Sequence, residues 1–125
     1  MTDTNDQERD VIEAVVQDYF LGMYEGDEAR LTRIFHDQCW LFGENPNGCH
    51  AFPVAGFIAQ MTEGTPPKAA GEPFDMALVA LDRTGSVATA KLAVRYQGRR
   101  YTDYLTLQKA DGAWRIVGKL FYTED

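Results

Sequence analysis

The chain has 125 residues, 45% of them hydrophobic, which is enough apolar material for one core and too little length for two domains, so residues 1–125 are expected to form a single domain. A formal net charge of −7, with the basic residues scattered, repels a phosphate backbone and excludes nucleic acid as an expected partner. No apolar run is long enough to span a bilayer, and the opening MTDTNDQERD is acidic where a signal peptide is basic and then apolar, so a cytoplasmic protein with reduced Cys39 and Cys49, and no membrane partner, is expected.

Ile12, Val15, Val16, Tyr19, Phe20 and Met23 recur at helical spacing, with Glu13, Gln17 and Asp18 on the other side, which predicts an amphipathic first helix. Thr4 with Gln7, or Asn5 with Glu8, offers a capping box at its start, and Gly26 is placed to end it. Asp27 reads as the N-cap of a short second helix carrying Leu31, Ile34 and Phe35, broken at His36-Asp37. Cys39 to Phe42 reads as a short strand, and the GENPNG that follows reads as a loop. Pro53 suits the first turn of a third helix, in which Val54, Phe57, Ile58 and Met61 share a face until Gly64. The proline- and glycine-rich stretch from there to Pro73 is expected to be a loop, mobile unless packed.

The final third reads as four strands: Phe74 to Leu81, Ser86 to Tyr96, Arg99 to Lys109 and Ala113 to Tyr122. The turn signals between them are Arg83-Thr-Gly85, Gln97-Gly98 and Asp111-Gly112. Two-residue turns set the registers. Across Gln97-Gly98, Val94, Leu92, Ala90 and Ala88 fall opposite Tyr101, Asp103, Leu105 and Leu107. Across Asp111-Gly112, an unbroken register places Leu107 against Ile116, Leu105 against Gly118, Asp103 against Leu120 and Tyr101 against Tyr122. For the Phe74 strand, Phe74, Met76 and Leu78 on one face rival Ala77, Val79 and Leu81 on the other. The second sheet face, with Tyr104, Val117 and Phe121, is too apolar for water alone, and a second copy of the chain is its expected cover.

Three helices with a short strand between the second and third, followed by an antiparallel meander, resemble the nuclear transport factor 2-like superfamily. FHDQCWLFG (35–43) and YTDYLTLQKADGAWRIVGKLF (101–121) are similar to its subgroup labelled putative lumazine-binding proteins. The resemblance covers nearly the whole chain. It implies an α+β fold, three N-terminal helices on a curved, mainly antiparallel sheet closing into a cone. That superfamily contains ketosteroid isomerases, dehydratases and polyketide cyclases beside non-catalytic binding domains, and in the enzymes ionisable and tyrosyl side chains line the cone.

Asp103 is the sharpest site candidate, because the unbroken register sets it between Leu92 and Leu120 with no cation nearby. A carboxylate there would titrate above an ordinary aspartate and suit general acid/base work. The structural alternative is that it accepts hydrogen bonds from a tyrosine, an indole or a backbone amide and anchors the first helix to the sheet. Tyr101 and His36 are the companion catalytic candidates, the histidine as a proton shuttle at the mouth or simply as a charge at a helix C-terminus. Tyr19, Trp40, Leu105, Trp114, Gly118, Leu120 and Tyr122 are the expected ligand-lining positions, each equally intelligible as packing. Cys39, Cys49, His36 and His50 fit no standard zinc spacing, so neither metal nor other cofactor is expected. Three functions follow from this reading: binding of a small, partly apolar or aromatic molecule, cofactor-free lyase or isomerase chemistry at Asp103, or protein interaction by a domain whose interior is filled.

Overall fold

In the computed structural model, residues 4–124 are described, with side chains from Asp6 onward, so the capping boxes expected from Thr4 and Asn5 lie outside the described side chains. The apolar stripe of the first helix produces α1 (Thr4–Glu25), which buries Ile12, Val16, Tyr19, Phe20 and Met23. Gly26 ends it with a positive φ of 66°, and the Asp27 amide returns to the Gly22 carbonyl at 2.9 Å, a closing bond that a left-handed residue makes reachable. Asp27 then caps α2 (Glu28–Ile34), its Oδ1 accepting from the Arg30 amide at 3.1 Å. The two helices form the expected pair.

His36-Asp37 does not open a loop. The chain passes straight into β1 (Phe35–Asn45), turns at Pro46-Asn47, and returns as β2 (Gly48–Pro53), with Asn45 opposite Gly48 and Trp40 opposite Pro53. This corrects the expected short strand and the loop after it. Only Phe52 of β2 is even partly buried, and an edge strand of this kind carries no alternation for a sequence reading to find. Helix α3 (Val54–Thr62) follows and buries Val54 and Phe57. The stretch up to Pro73 is packed: the Tyr24 hydroxyl donates to the Glu72 carbonyl at 2.7 Å, and Pro67 is fully buried.

Strands β3 (Met76–Thr84), β4 (Val87–Tyr96), β5 (Arg99–Ala110) and β6 (Ala113–Glu124) form the meander, and the sheet order is β2-β1-β6-β5-β4-β3. All neighbours are antiparallel except β1 and β6. Gln97-Gly98 and Asp111-Gly112 both hold positive φ, as two-residue hairpins require. The β4–β5 register is the expected one, with Leu92 opposite Asp103. The rival faces of β3 are reconciled by an irregularity between Leu78 and Ala80, so that Met76 and Leu78 turn inward before it and Leu81 after it.

The second hairpin departs from the unbroken register. Leu107 does face Ile116, but Thr106 then faces Gly118, which leaves Val117 as an extra residue in β6. A one-residue bulge exchanges the two faces of everything beyond it. Asp103 therefore stands opposite Phe121, Leu105 opposite Lys119, and Tyr101 opposite Thr123. Lys119 and Thr123 are buried, and Phe121 lines the interior, whereas Leu120 and Tyr122 are half exposed on the outer face. Phe121 thus leaves the outer patch expected of it. Trp40, Phe42, Tyr104, Leu120 and Tyr122 make up the exposed apolar face instead, and Val117 is half-buried at the bulge.

Candidate functional site

A cavity of about 570 Å³ lies between the curved sheet, α3 and the β1–β2 hairpin, so the interior is not filled. Its walls include Tyr96, Tyr101 and Asp103 from β4 and β5, Lys119, Phe121 and Thr123 from β6, and Phe57, Gln60 and Met61 from α3. Asn45, Cys49, His50 and Phe52 complete it from the hairpin. Gly43 shapes one wall. Its β-carbon, if it had one, would sit 2.1 Å from the Phe121 ring, so only glycine lets that ring lie against β1.

Asp103 comes from the centre of the sheet and is 1% exposed. Its Oδ2 accepts a 2.6 Å hydrogen bond from the Tyr19 hydroxyl and stands 3.7 Å from Lys119 Nζ, an ion pair longer than a hydrogen bond. The expected isolation of Asp103 from any cation is therefore overturned, because the bulge turns Lys119 inward where an unbroken strand would have presented Leu120. Asp103 Oδ1 has no hydrogen-bond partner among the described residues, an unusual condition for a buried carboxylate oxygen that lines a cavity.

Lys119 has few polar neighbours. Its Nζ lies 4.2 Å from the ring centroid of Phe57, 5.2 Å from Tyr19 and 5.4 Å from Phe121, so three aromatic rings and one carboxylate surround the amine. Burial pushes its pKa below the ordinary lysine value, and Asp103 opposes that in part. The same burial, reinforced by the Asp103 charge, pushes the Tyr19 hydroxyl well above the ordinary tyrosine range, which keeps it a neutral donor. Burial also raises Tyr101 and pushes the Cys39 thiol up to about 11, with Lys119 opposing the latter. The cluster thus combines a neutral phenol, a carboxylate with one oxygen unpartnered among the described residues, and a poorly solvated amine.

Of the expected site residues, Asp103 and Tyr101 line the cavity, and Tyr19 lies behind that lining, hydrogen-bonded to Asp103. Leu105 is fully buried in the core. Trp114 is buried too, but its indole donates to Glu8, which also accepts from Lys109 at 2.7 Å, so it serves the contact between α1 and the sheet rather than the cavity. Trp40, Leu120 and Tyr122 are exposed on the outer face, and Gly118 turns toward Thr106 there. The outward set follows from the bulge and from the pleat of β1, which turns Cys39 and Leu41 inward and Trp40 outward. His36 lies away from the cavity, with its Nδ1 accepting from the Gln38 amide at 3.0 Å. The sequence reading missed Lys119 and Phe121 as site residues. The signal was Gly118, since a glycine inside a strand often marks a bulge. Among the described residues no cluster of His, Cys, Asp and Glu could hold a metal ion.

The profile of a family described as "Putative lumazine-binding" matches residues 7–122. The chain belongs to that family. Among curated relatives, the chain is 25% identical over 119 residues to a protein named aldolase FrzH from Cladobotryum sp, covering 93% of this chain and 91% of that one. Among solved structures, an NTF2-like protein of unknown function from Shewanella baltica OS155 shares 25% identity and a TM-score of 0.87, covering 99% of both chains. An NTF-2-like protein of unknown function from Silicibacter pomeroyi DSS-3, at 23% identity, has a TM-score of 0.82, with 97% of this chain and 99% of that one covered. The fold is NTF2-like, as the resemblance implied, with a six-stranded, mostly antiparallel sheet. No helix among the described residues is long and apolar enough to cross a membrane.

Proposed function

We propose that the cavity binds a small, partly aromatic carbonyl compound and that Asp103, Tyr19 and Lys119 move protons on it without a cofactor. The observation that carries this reading is the buried triad beside a cavity large enough for a small ligand, which Asp103 and Lys119 line: a carboxylate oxygen without a partner among the described residues, a phenol held neutral, and an amine with little solvation. A carbonyl oxygen needs a donor and its α-carbon needs a base, and the triad holds both kinds of group within a few ångströms. The name of the relative, aldolase FrzH, belongs to the same class of carbonyl chemistry. Tyr101 serves as a further hydroxyl on the cavity wall.

The aromatic lining of Phe52, Phe57, Tyr96, Tyr101 and Phe121 favours a second reading, in which a flat ring such as a lumazine is bound and not transformed. Saturation-transfer NMR with phenylacetone and with lumazine tests binding, and deuterium uptake at the α-carbons of phenylacetone in heavy water tests proton transfer. We expect transfer to bound phenylacetone that disappears in Ala51→Trp, together with exchange that disappears in Asp103→Asn. Binding of lumazine with no exchange of phenylacetone favours the second reading, and no binding of either removes both.

We infer as well that a second copy of the chain covers Trp40, Phe42, Tyr104, Leu120 and Tyr122. Lys91 flanks this patch on the β4 side and Glu44 on the β1 side, so a two-fold axis would set opposite charges against each other at the rim.

A further inference from the structure

Lys119 is unusual for a lysine in its surroundings. Its side chain is 6% exposed, it lines the cavity, and no exposed carboxylate competes for it among its described partners. A structural ion pair would place the amine within hydrogen-bond distance of Asp103 and saturate both carboxylate oxygens. Instead the pair stands at 3.7 Å, Oδ1 is left open, and three rings crowd the ammonium. Burial of this amine beside the cavity disfavours its charged form, against the pull of Asp103 and of the ring faces, and an amine held near neutrality has the lone pair with which lysines add to carbonyl carbons.

We propose that Lys119 is a nucleophile that forms a Schiff base with an aldehyde or ketone held in the cavity, with Asp103 as the proton relay. The proposal rests on the carbonyl reading of the cavity and goes beyond it by making the intermediate covalent. Asp103 first takes a proton from the Lys119 ammonium. The freed lone pair adds to the carbonyl carbon, the carbonyl π pair moves to oxygen, and Asp103 returns its proton to that oxygen. Asp103 then accepts the second proton from nitrogen and delivers it to the same oxygen, which leaves as water while the nitrogen lone pair forms the C=N bond. Ammonium and carbonyl have become iminium and water, with no net gain or loss of protons or electrons. The restored carboxylate can now remove a proton from the α-carbon, and the released pair neutralises the iminium as an enamine. An enamine is the carbon nucleophile that aldol addition to a second carbonyl requires, or it can be reprotonated at carbon. Water adds back to the C=N bond to free the product and Lys119.

Reductive trapping tests the covalent step on the intact protein. With phenylacetaldehyde and cyanoborohydride at neutral pH, peptide mass mapping should find the aldehyde's mass less one oxygen on Lys119. Its labelling should outpace Lys68, Lys91 and Lys109 by about tenfold or more, because an amine that shares the cavity with the bound aldehyde meets it at a raised effective concentration. Lys119→Arg keeps the positive charge beside Asp103 and should show the parent's circular dichroism without the fast adduct. The proposal is overturned if Lys119 of the parent stays unlabelled while the three other lysines react, or if Lys119→Arg is trapped as fast as the parent. Phenylacetone binding by saturation transfer separates the two levels of the argument: binding without trapping removes the covalent step alone, and absence of both removes the carbonyl reading with it.

Discussion

Tyr19 and Asp103, 84 residues apart, share a 2.6 Å hydrogen bond at the junction of the first helix and the sheet. Both are essentially inaccessible, so the bond pins α1 to β5 at the edge of the cavity and aligns a donor beside the only carboxylate among the described residues that lines it. Removing the hydroxyl in Tyr19→Phe should cost about 1.5–3 kcal/mol, the range for a hydrogen bond to a charged group. Denaturant melts of parent and variant measure it. A variant as stable as the parent would show that the bond does not anchor the helix.

Asp103→Asn should also destabilise. The amide preserves shape but leaves the Lys119 ammonium, buried among rings, without its counter-charge, and breaking a buried pair in this way costs about 3–5 kcal/mol. Melts at pH 7 check the direction. An unchanged or raised stability would mean that Lys119 is already neutral in the parent at that pH.

The pH dependence of Lys119 has a definite sign. Its folded pKa lies below the ordinary lysine value of 10.5 because burial disfavours the ammonium. Between the folded value and 10.5 the unfolded chain holds a proton that the folded one has lost, so this residue's contribution to stability increases as pH rises through that window and is least favourable below it. Carbon-13 NMR, with the Lys119 ε-carbon assigned by its loss in Lys119→Arg, should show Lys119 titrating below the ordinary lysine value. A Lys119 that titrates at or above that value contradicts the effect of burial.

Gly43→Ala should disturb the site without touching its chemistry. The new methyl would collide with the Phe121 ring and drive it toward the cavity, and overpacking of this kind costs about 1–3 kcal/mol. The expected result is a lower melting midpoint together with weaker phenylacetone binding. Binding at parental strength would show that the ring is not a wall of the ligand site.

Sedimentation should give roughly twice the 14.0 kDa chain mass, and Leu120→Lys, on the outer face, should sediment as a monomer while its fold stability changes by no more than about 0.5 kcal/mol. A parent that stays monomeric at micromolar concentration, or a variant that stays dimeric, removes the dimer.

Local chemistry in the sequence determined much of the architecture. The stripe from Ile12 to Met23 made α1, Asp27 made the cap of α2, and the dipeptides Gln97-Gly98 and Asp111-Gly112 made two hairpins whose first pairs follow directly from turn length. Those features are legible because each depends on residues a few positions apart. Asp103 could be placed on the inner face for the same reason, since its register with Leu92 is set by a turn five residues away. Its companion could not be placed. Lys119 lies beyond an extra residue at Val117, and whether a strand absorbs such a residue depends on what its neighbours gain by it: here, burial of Ile116 on one side of the bulge and of the Phe121 ring over Gly43 on the other. β2 is likewise decided by pairing with β1 rather than by its own composition. The amine beside the carboxylate, and with it the chemistry available to the cavity, is therefore a property of the tertiary structure, because one residue of slip in a strand with a two-residue period exchanges inside for outside.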